Sequence, residues 1–408
     1  MSERRVGDGS GLGAGGVILL AALSGLSPLT SVFILPALPE LAEDLGASLS
    51  GAQFALSVAF AGLAVGLLVV GPLSDRFGRR TPLLLGLVAY IATTVLCILA
   101  TDITMLIVFR LVQGIAGGAV WVITRAVVRD AYAGRATARI LSQMAMITGI
   151  APVVAPFLSG QLLLFTNWRG LFISLAVFGV IVLGMTVFFM HETLPAERRL
   201  HSGLRGQFVV FGQFFRTPRF LAFASLGVVQ SAMYFTFVIM SPFVFTEEFG
   251  MSAQQFGALF AVAALMMALG NQSNVLLLRR WAPDDALRLM LTLALAGSTA
   301  YLGVVLLHAP LPAVIAAVLL VPFAAGASNA DITALTLEPY PHAAGSAAAL
   351  LGACQFGIAA LVPPLVSLWG ASALVMSTTM LVTALGAWII GMSRRPRGGL
   401  SVSEPIVG

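Results

Sequence analysis

Charge is scarce in this chain: 10% of its 408 residues are Asp, Glu or Arg, against 59% hydrophobic residues. Lysine does not occur, and all 22 basic residues are arginine, which fits the codon usage of a GC-rich genome better than any chemical need. A mean hydropathy of +0.98 excludes a soluble domain with one buried core and points to a polytopic membrane protein. The arginines stand singly or in pairs between apolar runs rather than in a patch. That excludes a nucleic-acid surface despite a pI near 9.9. Cysteine is nearly absent: Cys97 and Cys354 lie in apolar runs without metal-ligand spacing, so they are packing residues and imply neither metal nor cofactor. Four histidines, none spaced with acids as a metal site or catalytic dyad inside a run, argue against a membrane-embedded enzyme. One further absence matters: no Asp or Glu occurs between Asp8 and Glu40.

What is present is a series of about twelve apolar runs, near 15–38, 50–71, 82–100, 104–128, 137–163, 169–190, 220–244, 253–278, 286–307, 312–337, 344–369 and 371–392. Each is long enough to cross a bilayer as a helix. The first exceeds signal-peptide length and is read as a membrane helix. The expected fold is therefore all-α, with twelve transmembrane helices in two pseudo-symmetric six-helix bundles. The boundaries expected are a cytoplasmic N-terminus (1–14), a first bundle (15–190), a linker (191–219), a second bundle (220–392) and a cytoplasmic tail (393–408). Nearly all arginines fall on one side, whereas Glu40, Glu43, Asp44, Asp102, Glu247 and Glu248 fall on the other with Arg169. The positive-inside rule then puts both termini in the cytoplasm. The Arg-rich linker is expected to be partly helical and to lie at the membrane interface.

An internal repeat supports two halves. Glu43-Asp44-Leu45-Gly46-Ala47-Ser48 and Glu247-Glu248-Phe249-Gly250-Met251-Ser252 match at an offset of 250 − 46 = 204 residues, which Gly66 and Gly270 share.

Between the second and third runs stands Gly71-Pro72-Leu73-Ser74-Asp75-Arg76-Phe77-Gly78-Arg79-Arg80, read as a short, charged loop with Gly71 and Gly78 allowing the turn. Its second-half counterpart, Arg279 to Asp285, keeps charge but lacks the glycines. In the fourth run Arg110, Gln113, Gly114, Gly117, Gly118 and Trp121 share one helix face. A charge at helix centre is costly, so Arg110 either faces a cavity or partner, or snorkels to the interface. The fifth run places Pro152, Pro156 and Gly160 among small residues that permit close helix contact.

The loop resembles the signature loop of the major facilitator superfamily. Leu106-x-x-x-Arg110-x-x-Gln113-Gly114 is similar to that family's second motif, and the fifth run to its antiporter motif. Leu35-Pro36-Ala37-Leu38-Pro39, His191 to Arg199 and Ala344 to Gly357 resemble the bicyclomycin/chloramphenicol-resistance branch, Bcr/CflA, of the drug:proton antiporters. The resemblance implies an efflux transporter of small drug-like or metabolite compounds in the bacterial inner membrane, driven by proton antiport. It implies a conformational lock at Gly71, Asp75, Arg76, Gly78, Arg79 and Arg80 that packs against the other half. It also links Arg110 to proton coupling. Many relatives carry an acid in the first run where this chain reads Ser31-Val32-Phe33-Ile34.

The acidic residue well inside a run is Asp331, either a coupling site or a hydrated carboxylate paired with a loop arginine. Gln113, Gln230, Tyr234 and Asn329 are candidate cavity contacts, with Asn271, Gln272 and Asn274 as further polar groups. One buried carboxylate and one buried arginine favour neutral or weakly anionic substrates over dications. The partners expected are a small molecule, protons and the bilayer, with the protein as a monomer. An uncoupled facilitator exporting a neutral metabolite remains the alternative, since it fits the missing first-run acid.

Overall fold

The computed structural model describes residues 13–132, 134–199, 203–340 and 343–393. All but the last residues of the expected N-terminal segment, and all but the first of the tail, lie outside them. The elements are α1 (Gly13–Val32), α2 (Leu38–Asp44), α3 (Leu49–Phe77), α4 (Arg80–Ile98), α5 (Ile103–Ala131), α6 (Gly134–Leu162), α7 (Trp168–Phe189), α8 (Gly203–Arg216), α9 (Pro218–Phe243), α10 (Ala253–Leu277), α11 (Pro283–Leu306), α12 (Leu311–Leu337), α13 (Ala344–Val366) and α14 (Ala373–Met392). Among the described residues eleven helical segments are long and apolar enough to span a membrane. The 29-residue α6 adds the twelfth long helix, and no strand occurs among the described residues. The fold is all-α, in two sets of six long helices.

Local chemistry sets the ends. Ser48, Asp102, Asn167, Ser252 and Ser372 each cap the helix that follows, accepting from a backbone N–H two or three residues on. The repeat noted in the sequence is one device used twice. Gly46 (φ +57°) and Gly250 (φ +67°) both turn through the left-handed region, and two residues later a serine starts α3 or α10. The shared glycines are equivalent too: a Cβ on Gly66 would strike the Ile115 carbonyl of α5, and one on Gly270 the Phe323 carbonyl of α12. Small residues thus let α3 lie on α5 and α10 on α12 with backbones nearly touching.

Three expectations change in detail. The first run does not stay helical to residue 38, because α1 stops at Val32 and a 3-10 turn, Leu35–Ala37, leads into α2. Pro36 and Pro39 lack the N–H needed to continue one helix through this stretch. The loop between the second and third runs is far shorter than expected, since α3 continues through Asp75 and Arg76 to Phe77. Gly71 therefore makes no turn; it lets α3 approach Val122 of α5, and Gly78 alone, at φ +92°, reverses the chain. Finally, α8 in the linker is helical as expected, but it buries Phe211 and Phe214 on protein. Phe214 meets Phe220 and Tyr340 at ring-centroid distances of 5.0 Å each, so this part of α8's apolar side packs on the second half rather than on lipid.

At the end of the molecule that carries Asp44, one continuous apolar cluster joins the two halves. Ile34 and Leu38 from the first half are buried there with Met240, Phe243, Phe245 and Phe256 from the second. Near the opposite end the buried clusters are separate, one in the first half and two in the second, with Leu68 of α3 packed against one of those.

Candidate functional site

Arg79 is the hub of the signature loop. Gly78 turns the chain so that the Arg79 guanidinium, 5% exposed, reaches Asp75 (2.6 Å), Asp130 at the end of α5 (2.7 Å) and Ser74 (2.7 Å). Glu192, just after α7, accepts from the backbone N–H of Arg79 (2.8 Å), Arg80 (3.3 Å) and Leu194 (3.0 Å). Burial alone would push the Glu192 carboxyl up, but the N–H donors from Arg79, Leu194 and Arg80 outweigh it and hold it below its usual range. Arg80 donates to the Val187 carbonyl (3.1 Å), and Arg76 lies over the Phe77 ring.

The resemblance implied a loop packed against the other half. Its ion pairs and hydrogen bonds instead stay, among the described residues, within the first half and the start of the linker. What reaches the second half is α3 itself, from Ser50 donating to the Ser367 carbonyl at one end to Leu67 against Gly352 near the other. Arg129 of α5 also reaches across and lies beside Gly345 at the start of α13.

Arg110 does not snorkel. It is fully buried, donating from Nη1 to Gln113 Oε1 (2.7 Å), with Nε 3.5 Å from the Ala55 carbonyl and Nη2 without a partner. Gln113 passes the chain on to Thr94 (2.7 Å), and nearby Tyr90 and Thr30 share a hydrogen bond of 2.5 Å. Of the other residues on that predicted face, Gly114 and Gly118 lie against α3 carbonyls and Gly117 against Ser27 of α1. In α6, Pro156 and Gly160 form a joint with the second half. A Cβ on Gly257 would lie 2.6 Å from the Pro156 carbonyl, and Gln254 donates to the Gly160 carbonyl (3.3 Å). Pro152 sits one turn earlier on the same helix.

The second half carries the opposite charge. Asp331, 1% exposed on α12, accepts from Asn274 Nδ2 of α10 (2.7 Å), and its second oxygen is unpartnered. No arginine lies within ion-pair distance of it among the described residues, so the pairing with a loop arginine is not seen. The other predicted polar contacts do not converge on it. Gln230 donates to Ser328 between α9 and α12, the exposed Asn329 accepts from Gln355 of α13 (3.3 Å), and Tyr234 is half-buried. One helix, α12, thus presents Asp331, Ser328 and Asn329 to three different neighbours. Arg110 and Asp331 are each held by an amide, in separate halves, and do not pair.

A patch of rings was missed in the sequence. Phe60 of α3 lies 4.8 Å from Phe235 of α9 and 6.0 Å from Phe356 of α13, stacked on the latter. Trp121 of α5 meets Phe356 edge-on at 5.7 Å, and Tyr234 meets Phe235 at 5.5 Å. Arg125, exposed one turn beyond Trp121, stacks its guanidinium on that ring at 4.8 Å. The rings come from four different apolar runs, so periodicity within a run carries no signal of their meeting; of the patch, the sequence singles out Trp121 and Tyr234 but does not bring them together.

The sequence matches the Major Facilitator Superfamily over residues 20–363. It is 32% identical over 374 residues, 90% of this chain and 92% of the relative, to the uncharacterized MFS-type transporter YdgK of Bacillus subtilis. It is 27% identical over 353 residues, 86% and 88% of the two chains, to the bicyclomycin resistance protein homolog of Haemophilus influenzae. The structure superposes on a crystal structure of a D-xylose-proton symporter with a TM-score of 0.72 at 15% identity, covering 92% of this chain and 97% of that one. With the loop signature, the two sets of six helices and these matches together, the chain belongs to the Major Facilitator Superfamily of membrane transporters, with relatives in the bicyclomycin-resistance branch of the drug:proton antiporters.

Proposed function

We propose that this protein is an alternating-access exporter of small drug-like or metabolite compounds, working by proton antiport as a monomer in the inner membrane of a bacterium. Both termini and the linker 191–219 then face the cytoplasm, between bundles 15–190 and 220–392. The observation that carries the reading is the ring patch, to which Phe60 and Trp121 come from one half and Phe235 and Phe356 from the other. A surface built jointly in this way is made or broken whenever the halves rock against each other, as an alternating-access site must be. Its chemistry suits an apolar, planar compound, and Arg125 beside Trp121 favours a neutral or weakly anionic one over a dication. Asp331 takes the coupling role, being a buried carboxylate with one free oxygen and no arginine within ion-pair distance among the described residues.

The test is efflux of a panel of neutral antibiotics from cells expressing wild type, Phe356→Ala or Asp331→Asn, with and without a protonophore. The expected result is export that a protonophore and Asp331→Asn both abolish and that Phe356→Ala weakens selectively by compound. The absence of acid from Asp8 to Glu40 keeps a second reading, an uncoupled facilitator, in which export survives both treatments.

A further inference from the structure

Two buried polar side chains of α3 are left without hydrogen bonds. Gln53 and Ser57 are each 0% exposed, and neither amide atom of Gln53 nor the Ser57 hydroxyl has a partner among the described residues. A buried amide or hydroxyl left unpaired costs the folded state the whole of its desolvation, which an apolar residue of the same size would not. Such groups are rare enough in native proteins that each calls for a reason.

Their place in the fold supplies one. Ser50, Gln53, Ser57, Phe60, Ala64 and Leu67 follow one another at alternating spacings of three and four residues and so form one stripe along α3. That stripe faces the second half: Ser50 donates to the Ser367 carbonyl (3.3 Å), Phe60 meets Phe235 and Phe356, and Leu67 lies against Gly352. The side of α3 that packs on α5 is a different one, marked by Ala59, Gly62 and Gly66. Gln53 and Ser57 therefore sit in the joint between the halves, between the Ser50 contact and the ring patch. The buried cluster that closes this end is apolar and includes Leu56 and Phe60 of α3 with Met240, Phe243 and Phe256 of the second half.

We propose that Gln53 and Ser57 line the pathway at the end of the molecule that carries Asp44. They hydrogen-bond water or a passing polar solute when that end is open, and losing those partners limits how firmly the joint closes. An apolar joint alone gains from every closure; two orphaned polar groups move the balance back toward the open form. The inference rests on the reading that the two halves rock against each other, and not on what is carried or on proton coupling.

The experiment measures the distance between nitroxide labels on Glu43→Cys and Leu307→Cys, exposed positions at that end in different halves. Pulsed electron paramagnetic resonance reads it in the full-length protein in lipid, with Cys97→Ala and Cys354→Ala as background. Gln53→Leu keeps the bulk and removes the orphaned amide, so the ratio of short to long distances should rise about tenfold, and Ser57→Ala should raise it roughly threefold. Gln53→Glu puts a charge in the same place and should lower the ratio. Ser50→Ala loses a hydrogen bond across the joint and should lower it too, opposite in sign to Ser57→Ala on the same stripe. A purely packing role moves Gln53→Leu and Gln53→Glu in the same direction, and that result overturns the proposal. So does a ratio unchanged in Gln53→Leu, which would mean that an ordered water already satisfies the amide. A single fixed distance in every variant, Gln53→Glu included, would overturn the rocking itself and the proposal with it.

Discussion

The two halves of this transporter share a backbone plan and differ in the charge each buries. The first half buries a cation, Arg110, held by Gln113 and left with a free Nη2; the second buries an anion, Asp331, held by Asn274 and left with a free oxygen. The scaffold around them is repeated closely, down to Gly46 and Gly250 in the outer turns and Gly66 and Gly270 at the tightest helix contacts. What diverges is the polar equipment. The first half ties α3, α4, α5 and the linker together through Arg79, whereas the corresponding stretch of the second half, with Arg280 and Trp281 exposed, has no ion pair among the described residues. Symmetry thus lies in packing, which both halves need to stand in a membrane, and asymmetry lies in charge.

The strongest way to break this comparison is to remove the hub. Arg79→Ala leaves Asp75 and Asp130 facing each other without their cation and should cost about 3 kcal/mol, read as a lower unfolding midpoint in detergent. Arg280→Ala, in the corresponding stretch of the second half, should stay within about 0.5 kcal/mol. Similar losses for both would mean that the lock is not confined to one half.

The packing symmetry is sharpened by the paired glycines. Gly66→Ala and Gly270→Ala each force a methyl against a carbonyl of the neighbouring helix, and each should cost about 1–3 kcal/mol. Gly184→Ala and Gly303→Ala, where nothing lies within 4 Å of the new methyl, should be neutral or gain up to about 1 kcal/mol. Unequal costs at Gly66 and Gly270 would argue against equivalent roles.

The smallest effect concerns pH. The Glu192 carboxyl is held below its ordinary value in the folded protein, so its contribution to stability is complete above the unfolded value near 4.5 and disappears as pH falls through the lower folded value. Unfolding midpoints of wild type and Glu192→Gln should differ at pH 7 and converge as pH falls below 4.5 and through the lower folded value. A gap that stays constant over that range would show that the carboxylate charge is not what holds Arg79 and Arg80.

Much of this was legible in the sequence. The twelve runs, the repeat and the loop signature are local patterns, and hydropathy reads them because a bilayer demands about 20 apolar residues per crossing. Burial of Arg110 was also legible as one of two readings, since a charge inside a span must find a partner or the interface. Two things were not. Gly71 looked like a turn residue but is helical, because its small size serves contact with Val122 rather than chain reversal, and sequence does not separate the two uses. The ring patch stayed hidden because Phe60, Trp121, Phe235 and Phe356 come from four helices, and only packing tells which of 26 phenylalanines meet.

The central claim is that Asp331 carries the proton. In liposomes loaded with a pH-sensitive dye, an imposed substrate gradient across wild-type protein should drive proton movement in the opposite direction. Asp331→Asn, which is isosteric and positioned to keep the contact with Asn274, should bind substrate and unfold within about 1 kcal/mol of wild type yet move no protons. Proton movement undiminished in Asp331→Asn would contradict the claim.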